Sequence, residues 1–413
     1  MKKVIIIVIV LALIGAGVYF WVIPKIYSSR EPSSLPSPTV AIPPESPPIT
    51  GTNTQDFVEK AIAAFPTKEM LDAAKTASDI LKTMDYQAAQ NLLPVISKCD
   101  PAFVEIKNAV NAEFNVSPAD FSPERKMQNL LASQTMGKLL AVKGMGLENQ
   151  GKLDKAVNNY LLAAQFGSVF AGKNAMIIEK LIGIAIEKIA YKPLKQFVLN
   201  HPEDRDNLKR IIETLDKAEQ KRLPISEAFL SEKRSIQYLA QNIKQYAKTD
   251  KQLRKLSKSE ISRIVEESDK VYGYMISTFE MPYPQYMKED QQSKLIRFLK
   301  EVHPLLKIAV PNFTEMHIRN LTSATDNRLV RILAALELYH QDKQAYPNSL
   351  SELAPTYLAT VPKDYFSDSD FVYGLVNQTF YLYSVGPDMQ DNQERPVYDP
   401  TNGTTSIGDI IGK

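Results

Sequence analysis

With 49 basic against 47 acidic side chains in 413 residues, the net charge is only +2, which leaves no electrostatic footprint for nucleic acid. Hydrophobic residues make up 44% of the chain, enough to bury sizeable cores, and the length suits more than one domain. A single cysteine, Cys99, excludes an intramolecular disulfide and any multi-cysteine metal site.

Lys2 and Lys3 precede an unbroken apolar run from Val4 to Ile23. As a helix rising ~1.5 Å per residue, such a run matches the ~30 Å hydrocarbon core of a bilayer. It ends in Tyr19-Phe20-Trp21 and Pro24, aromatic residues suited to the interface, and shows no small-x-small cleavage site. Residues 1–27 therefore read as an uncleaved transmembrane helix. The Lys2-Lys3 pair, set against Lys25 and Arg30, favours an amino terminus on the cytoplasmic side. Residues 28–54 follow as a disordered linker, with Pro32, Pro36, Pro38, Pro43, Pro44, Pro47 and Pro48 set among serines and threonines.

Residues 55–310 carry helical periodicity almost throughout, with Pro66, Pro101, Pro193, Pro202, Pro224 and Pro282 dividing the run. Ser122-Pro123-Glu124 and Ser257-Lys258-Ser259-Glu260 are helix starts. Leu140, Gly144, Leu147, Gly151, Ala156, Tyr160 and Ala163 are spaced as in one tetratricopeptide-like hairpin, whose small residues let two helices approach closely. One copy predicts a local hairpin and cannot build an extended concave surface. Ile177 to Ile186 is too apolar for an exposed helix and belongs in a core. Lys244, Lys248, Lys251, Lys255 and Lys258 share a helix face, which reads as solvated or as a contact for anionic lipid headgroups or another acidic polymer. Tyr272, Tyr274, Phe279, Glu280, Tyr283, Tyr286, Glu289 and Asp290 mix rings with carboxylates, as tyrosines packing helix ends do, and as a glycan cleft does.

Residues 311–413 predict an α+β unit. Leu329, Ile332, Leu333, Leu336 and Tyr339 give the final helix an apolar stripe, and Ser349-Leu350-Ser351-Glu352 caps a short helix. Phe371–Val376 and Thr379–Tyr383 read as a hairpin turning at Asn377-Gln378.

Leu338-Tyr339 before Ala345-Tyr346-Pro347, then Val361-Pro362-x-Asp364 and Tyr383-Ser384-Val385-Gly386-x-Asp388, resembles the globular half of type II secretion major pseudopilins. With Pro311-Asn312-Phe313 opening the final helix after a helical region that contains Leu181-Ile182-Gly183-Ile184-Ala185, the whole chain is similar to a family of membrane-anchored bacterial envelope proteins from planctomycete-like lineages. The pseudopilin resemblance implies a small α+β head and calcium held by oxygen ligands in the loop after the last strand, here Asp388, Asp391 and Asp409. In pseudopilins the apolar helix runs directly into the head, whereas here the helical body intervenes, so filament assembly of that kind is excluded.

The four histidines, His201, His303, His317 and His340, have no metal-ligand spacing, and no nucleophile elbow or phosphate-binding loop occurs. The sequence thus leads to a mainly α protein of an anchor, a multi-helix domain with one tetratricopeptide-like hairpin, and a pseudopilin-like α+β domain. Its expected place is a bacterial inner membrane crossed once, with the bulk of the chain periplasmic or otherwise extracytoplasmic. The expected role is non-enzymatic, structural or interacting, with secretion or pilus components or the cell wall as partners. A carboxylate-based cell-wall or glycan hydrolase and a peptide-binding adaptor are the alternatives.

Overall fold

The computed structural model describes residues 54–112, 127–170, 172, 175–246, 255–304, 306, 313–398 and 408–413. The expected membrane anchor, the proline-rich linker as far as Asn53 and the Ser122-Pro123-Glu124 helix start lie outside the described residues. Among those residues no helix is long and apolar enough to cross a membrane.

The chain is mainly helical and ends in a small antiparallel sheet. Its first helices are α1 (Thr54–Ala64), α2 (Thr67–Thr83), α3 (Tyr86–Ile96), α4 (Asp100–Asn111), α5 (Met127–Asn149), α6 (Leu153–Val169) and α7 (Ile177–Asn200). There follow α8 (Arg205–Gln220), α9 (Ser226–Gln241), α10 (Ile243–Tyr246), α11 (Lys258–Phe279), α12 (Tyr283–Lys288), α13 (Gln291–Glu301) and α14 (Phe313–Lys343). Helix α1 packs on α4, α3 on α5, α5 on α6, α6 on α7, and α9 on α11. Side-chain oxygens set several starts. Asp85 accepts the Ala88 N–H at 2.8 Å to begin α3, and Ser257 and Glu260 form the expected reciprocal box at α11, at 3.2 and 2.7 Å.

Pro193 does not end a helix as the sequence suggests; it lies inside α7. The missing N–H and the ring normally break a helix. Here Tyr191, Leu194, Phe197 and Val198 on the flanking turns are buried, and their packing outweighs the local preference. The α5–α6 hairpin forms as its small residues imply. Gly151 takes φ 70° at the turn, and a Cβ on Gly144 would collide with the Tyr160 ring. Helices α6 and α7 cross more tightly still, because a Cβ on Gly183 would strike the Gly167 carbonyl oxygen and one on Gly167 the Gly183 carbonyl.

The long helix α14 opens the expected carboxy-terminal unit and packs along both α7 and α8. Strands β1 (Val372–Val376), β2 (Thr379–Ser384) and β3 (Ile410–Ile411) form one sheet in the order β1-β2-β3. The hairpin is in the expected register, Val376 opposite Thr379, with Asn377 at φ 53° as a tight hairpin turn requires. Phe380 and Leu382 are buried on the face toward α14, where the Tyr346 ring meets Phe380 edge-on at 4.7 Å. Strand β3 was not foreseen. Two residues leave no periodicity to read, and its place is fixed by Gly412 N–H donating to the Leu382 carbonyl at 2.8 Å.

The α6–α7 crossing gives a direct test. Gly183→Ala is expected to lower the unfolding free energy by about 1–3 kcal/mol through overpacking. Gly273→Ala in α11 meets no atom at its Cβ position and should raise it by roughly 0.5–1 kcal/mol. Urea denaturation followed by circular dichroism reads both.

Candidate functional site

A dense polar cluster lies where α14 meets α7. Glu187, near the middle of α7, has a side chain only 1% exposed. It accepts from Ser323 Oγ of α14 at 2.6 Å and Ser168 Oγ of α6 at 3.0 Å, and pairs with the Arg222 guanidinium from the α8–α9 connection. Arg222 also donates to Asn320 Oδ1 of α14 at 3.2 Å. Burial opposes charge on Arg222, but Glu187 and Tyr191 overcome it and hold the group protonated. Seven residues before Glu187 on the same helix, Lys180 donates from Nζ to the Leu223 carbonyl at 3.0 Å. Burial, reinforced by Arg222, pulls its ammonium down to about 7.

Further along α14, Arg331 pairs with Asp216 and Glu219 of α8, and Arg328 Nε reaches Glu219 Oε1 at 2.6 Å. The Arg328 guanidinium lies 3.7 Å from the centre of the Tyr365 ring, whose hydroxyl donates to Glu219 at 3.2 Å. Lys195 of α7 bridges Asp326 at 2.9 Å and the Ile411 carbonyl at 3.0 Å, tying helix, helix and β3 together. Most donors and acceptors here engage one another and so position the elements, although Arg331 Nε and Asn327 Oδ1 have no hydrogen-bond partner among the described residues.

The rings of the ring-and-carboxylate stretch pack into the core, while Glu280 and Asp290 are exposed. Tyr272, Tyr283 and Tyr286 are fully buried, and Phe279, Tyr283 and Tyr286 enclose His317 of α14 with ring centres at 4.8, 5.7 and 5.2 Å. Neither His317 ring nitrogen has a hydrogen-bond partner among the described residues. Burial alone drives its pKa from 6.5 down to about 3, so the imidazole is neutral at ordinary pH. The carboxylates serve helix ends. Glu280 accepts from Ser226 Oγ at 2.8 Å, Glu289 accepts from Gln285 Nε2 at 2.8 Å and Gln291 Nε2 at 2.6 Å, and Asp290 takes φ 48° before α13. Tyr283 reaches furthest, donating its hydroxyl to the Pro387 carbonyl of the carboxy-terminal loop at 2.9 Å.

Asp388, Asp391 and Asp409 do come together in that loop. Asp409 is buried and accepts the N–H groups of Asn392 at 3.4 Å and Glu394 at 2.7 Å. Asp388 accepts those of Gln390 and Gly408, both at 3.1 Å. Asp391 accepts from the Gln393 N–H and the Tyr383 hydroxyl, both at 2.9 Å. Burial raises the Asp409 carboxyl above the usual range, and repulsion from Asp391 and Asp388 adds to this. Calcium takes six or more oxygen ligands. Among the described residues no group of three or more His, Cys, Asp or Glu is placed to hold a metal ion. The hydrogen bonds to these carboxylates, most of them from backbone N–H groups, close the loop.

A third cluster pins the α5–α6 turn to the end of α7. The buried Glu148 accepts the Tyr160 hydroxyl at 2.7 Å and faces His201 Nε2 at 3.1 Å. Burial raises its carboxyl, with Tyr160 and His201 opposing. Of the proposed lysine face, Lys244, Lys255 and Lys258 are exposed, while Lys248 and Lys251 lie outside the described residues. Compared with known protein families, curated proteins and solved structures, the chain shows no match. Sequence reasoning missed Glu187 and Arg222. The available signal was charge, Glu179, Lys180, Glu187 and Lys188, inside a helix too apolar for the surface, but nothing local names Arg222 as the partner.

Two measurements follow from this geometry. Glu187→Leu strands the Arg222 charge and should cost about 3–5 kcal/mol, most of it recovered in Glu187→Leu/Arg222→Met, as denaturant unfolding will read. His317 has a folded pKa of about 3, below its unfolded 6.5, so the unfolded chain binds the extra proton between those values. Stability from this group is intact above pH 6.5 and falls as pH drops toward 3, by about 1.4 kcal/mol per unit. His317→Leu should flatten that part of the stability–pH profile.

Proposed function

We propose that the chain is a membrane-anchored, non-enzymatic envelope protein with a structural or protein-interaction role, working beside secretion or pilus-like machinery or the cell wall. The apolar run Val4–Ile23 and the proline-rich stretch after it support an anchor and spacer at a bacterial inner membrane, with the folded body on the extracytoplasmic side. The pseudopilin-like reading of 311–413 is supported by the order of long helix, short capped turn and hairpin ending in Tyr383-Ser384-Val385-Gly386.

The observation that carries the interaction role is how the charged side chains are used. Glu187, Arg222, Lys195, Glu219 and Arg331 bind α14 to the elements beside it. The rings around His317 fill the core. A body built this way is a rigid support for its surfaces.

Protease treatment of spheroplasts tests the placement. The folded body is expected to be digested from outside and to stay with membranes after a carbonate wash, whereas a protected or freely soluble chain contradicts the proposal. Calorimetry tests what the resemblance adds. Heat from calcium that Asp388→Ala abolishes would bring the loop into the pseudopilin class, and no heat would leave it closed by the Asp388, Asp391 and Asp409 hydrogen bonds alone, which is the expected outcome.

A further inference from the structure

Strand β1 lies at the edge of its sheet. The order β1-β2-β3 leaves its outer side without a backbone partner among the described residues. Val376 faces Thr379 across the two-residue turn, so Val376, Gly374 and Val372 bond inward to β2. The alternation of an antiparallel ladder then turns the N–H and C=O groups of Tyr373 and Leu375 to the open side. Edge strands are commonly guarded by charge, proline, a bulge or a covering element. Val372-Tyr373-Gly374-Leu375-Val376 carries no charge and no proline, and Leu375 and Val376 are 47% and 45% exposed.

We propose that β1 pairs antiparallel with β1 of a second copy of this chain, about a two-fold axis at Gly374, making one continuous sheet. The strand is self-complementary in this register. Tyr373 falls opposite the partner's Leu375 and Leu375 opposite the partner's Tyr373, so the outward-facing groups of each copy satisfy those of the other. The two glycines meet at the axis, a non-hydrogen-bonded position where Cα atoms approach to ~4.5 Å. Val372 lies opposite the partner's Val376, covering the second exposed side chain. Asp370 falls opposite the partner's Gln378, so no like charges are opposed. An unrelated extended peptide could satisfy the backbone, whereas a second copy also sets Tyr373 and Val372 against the exposed Leu375 and Val376. The pairing stands independently of the envelope role proposed above.

The test uses the full chain in detergent micelles, with Cys99→Ala removing the native thiol. Val372→Cys and Val376→Cys chains, mixed and mildly oxidised, are expected to give a disulfide heterodimer, because a non-hydrogen-bonded pair has the Cβ spacing a disulfide needs. Each variant alone should cross-link far less, and adding Leu375→Lys to both should cut the heterodimer yield about tenfold or more. Light scattering of the unmodified chain should show a dimer. A monomer at every concentration overturns the proposal, as does a mixture that gives no more heterodimer than the single variants give homodimer, or a yield indifferent to Leu375→Lys.

Discussion

The structure depends on one buried carboxylate. Removing Glu187 from water carries a desolvation cost of several kcal/mol, repaid only if every lone pair is engaged with good geometry. That condition brings Ser168, Arg222 and Ser323 to it from three other parts of the chain. Moving Arg222 away would leave a buried charge unpaired, and moving either serine would take a donor from a buried carboxylate oxygen. The consequence is that α14 is fixed against α7, and because β2 and β3 pack on α14, the sheet is fixed as well. Arg331 and Arg328 repeat the arrangement against α8.

A second set of ties joins the carboxy-terminal loop to the body. Tyr283 lies tilted beside His317 and donates to the Pro387 carbonyl, while Asp409 accepts backbone N–H groups from the far side of the same loop. The loop is thus held from both ends by ordinary hydrogen bonds. His317 departs from this pattern: among the described residues neither ring nitrogen has a hydrogen-bond partner, and the enclosing rings keep the imidazole neutral. The helical body and the sheet therefore share a core along α14, while the outer edge of β1 has no backbone partner among the described residues.

Much of this was legible locally. The α11 capping box, the small residues between α5 and α6 and the β1–β2 hairpin are set by neighbours in the chain, and the sequence read them correctly. Pro193 was misread because a buried face overrode a local rule. The Glu187 cluster was invisible for a different reason: Ser323 lies 136 residues away from it, and no spacing rule reaches across that distance. The same limit applies to the tyrosines around Phe279. Their letters fit a cleft or a core equally well, and only the packing of α11, α12 and α14 shows a core.

Native-state hydrogen exchange across α7, α14 and β2 tests the central claim, that the Glu187 cluster makes helices and sheet open as one unit. The account predicts that the most protected amides of all three exchange at the free energy of global unfolding. Exchange of β2 at a clearly lower free energy than α7, with α14 dividing between them, would contradict it.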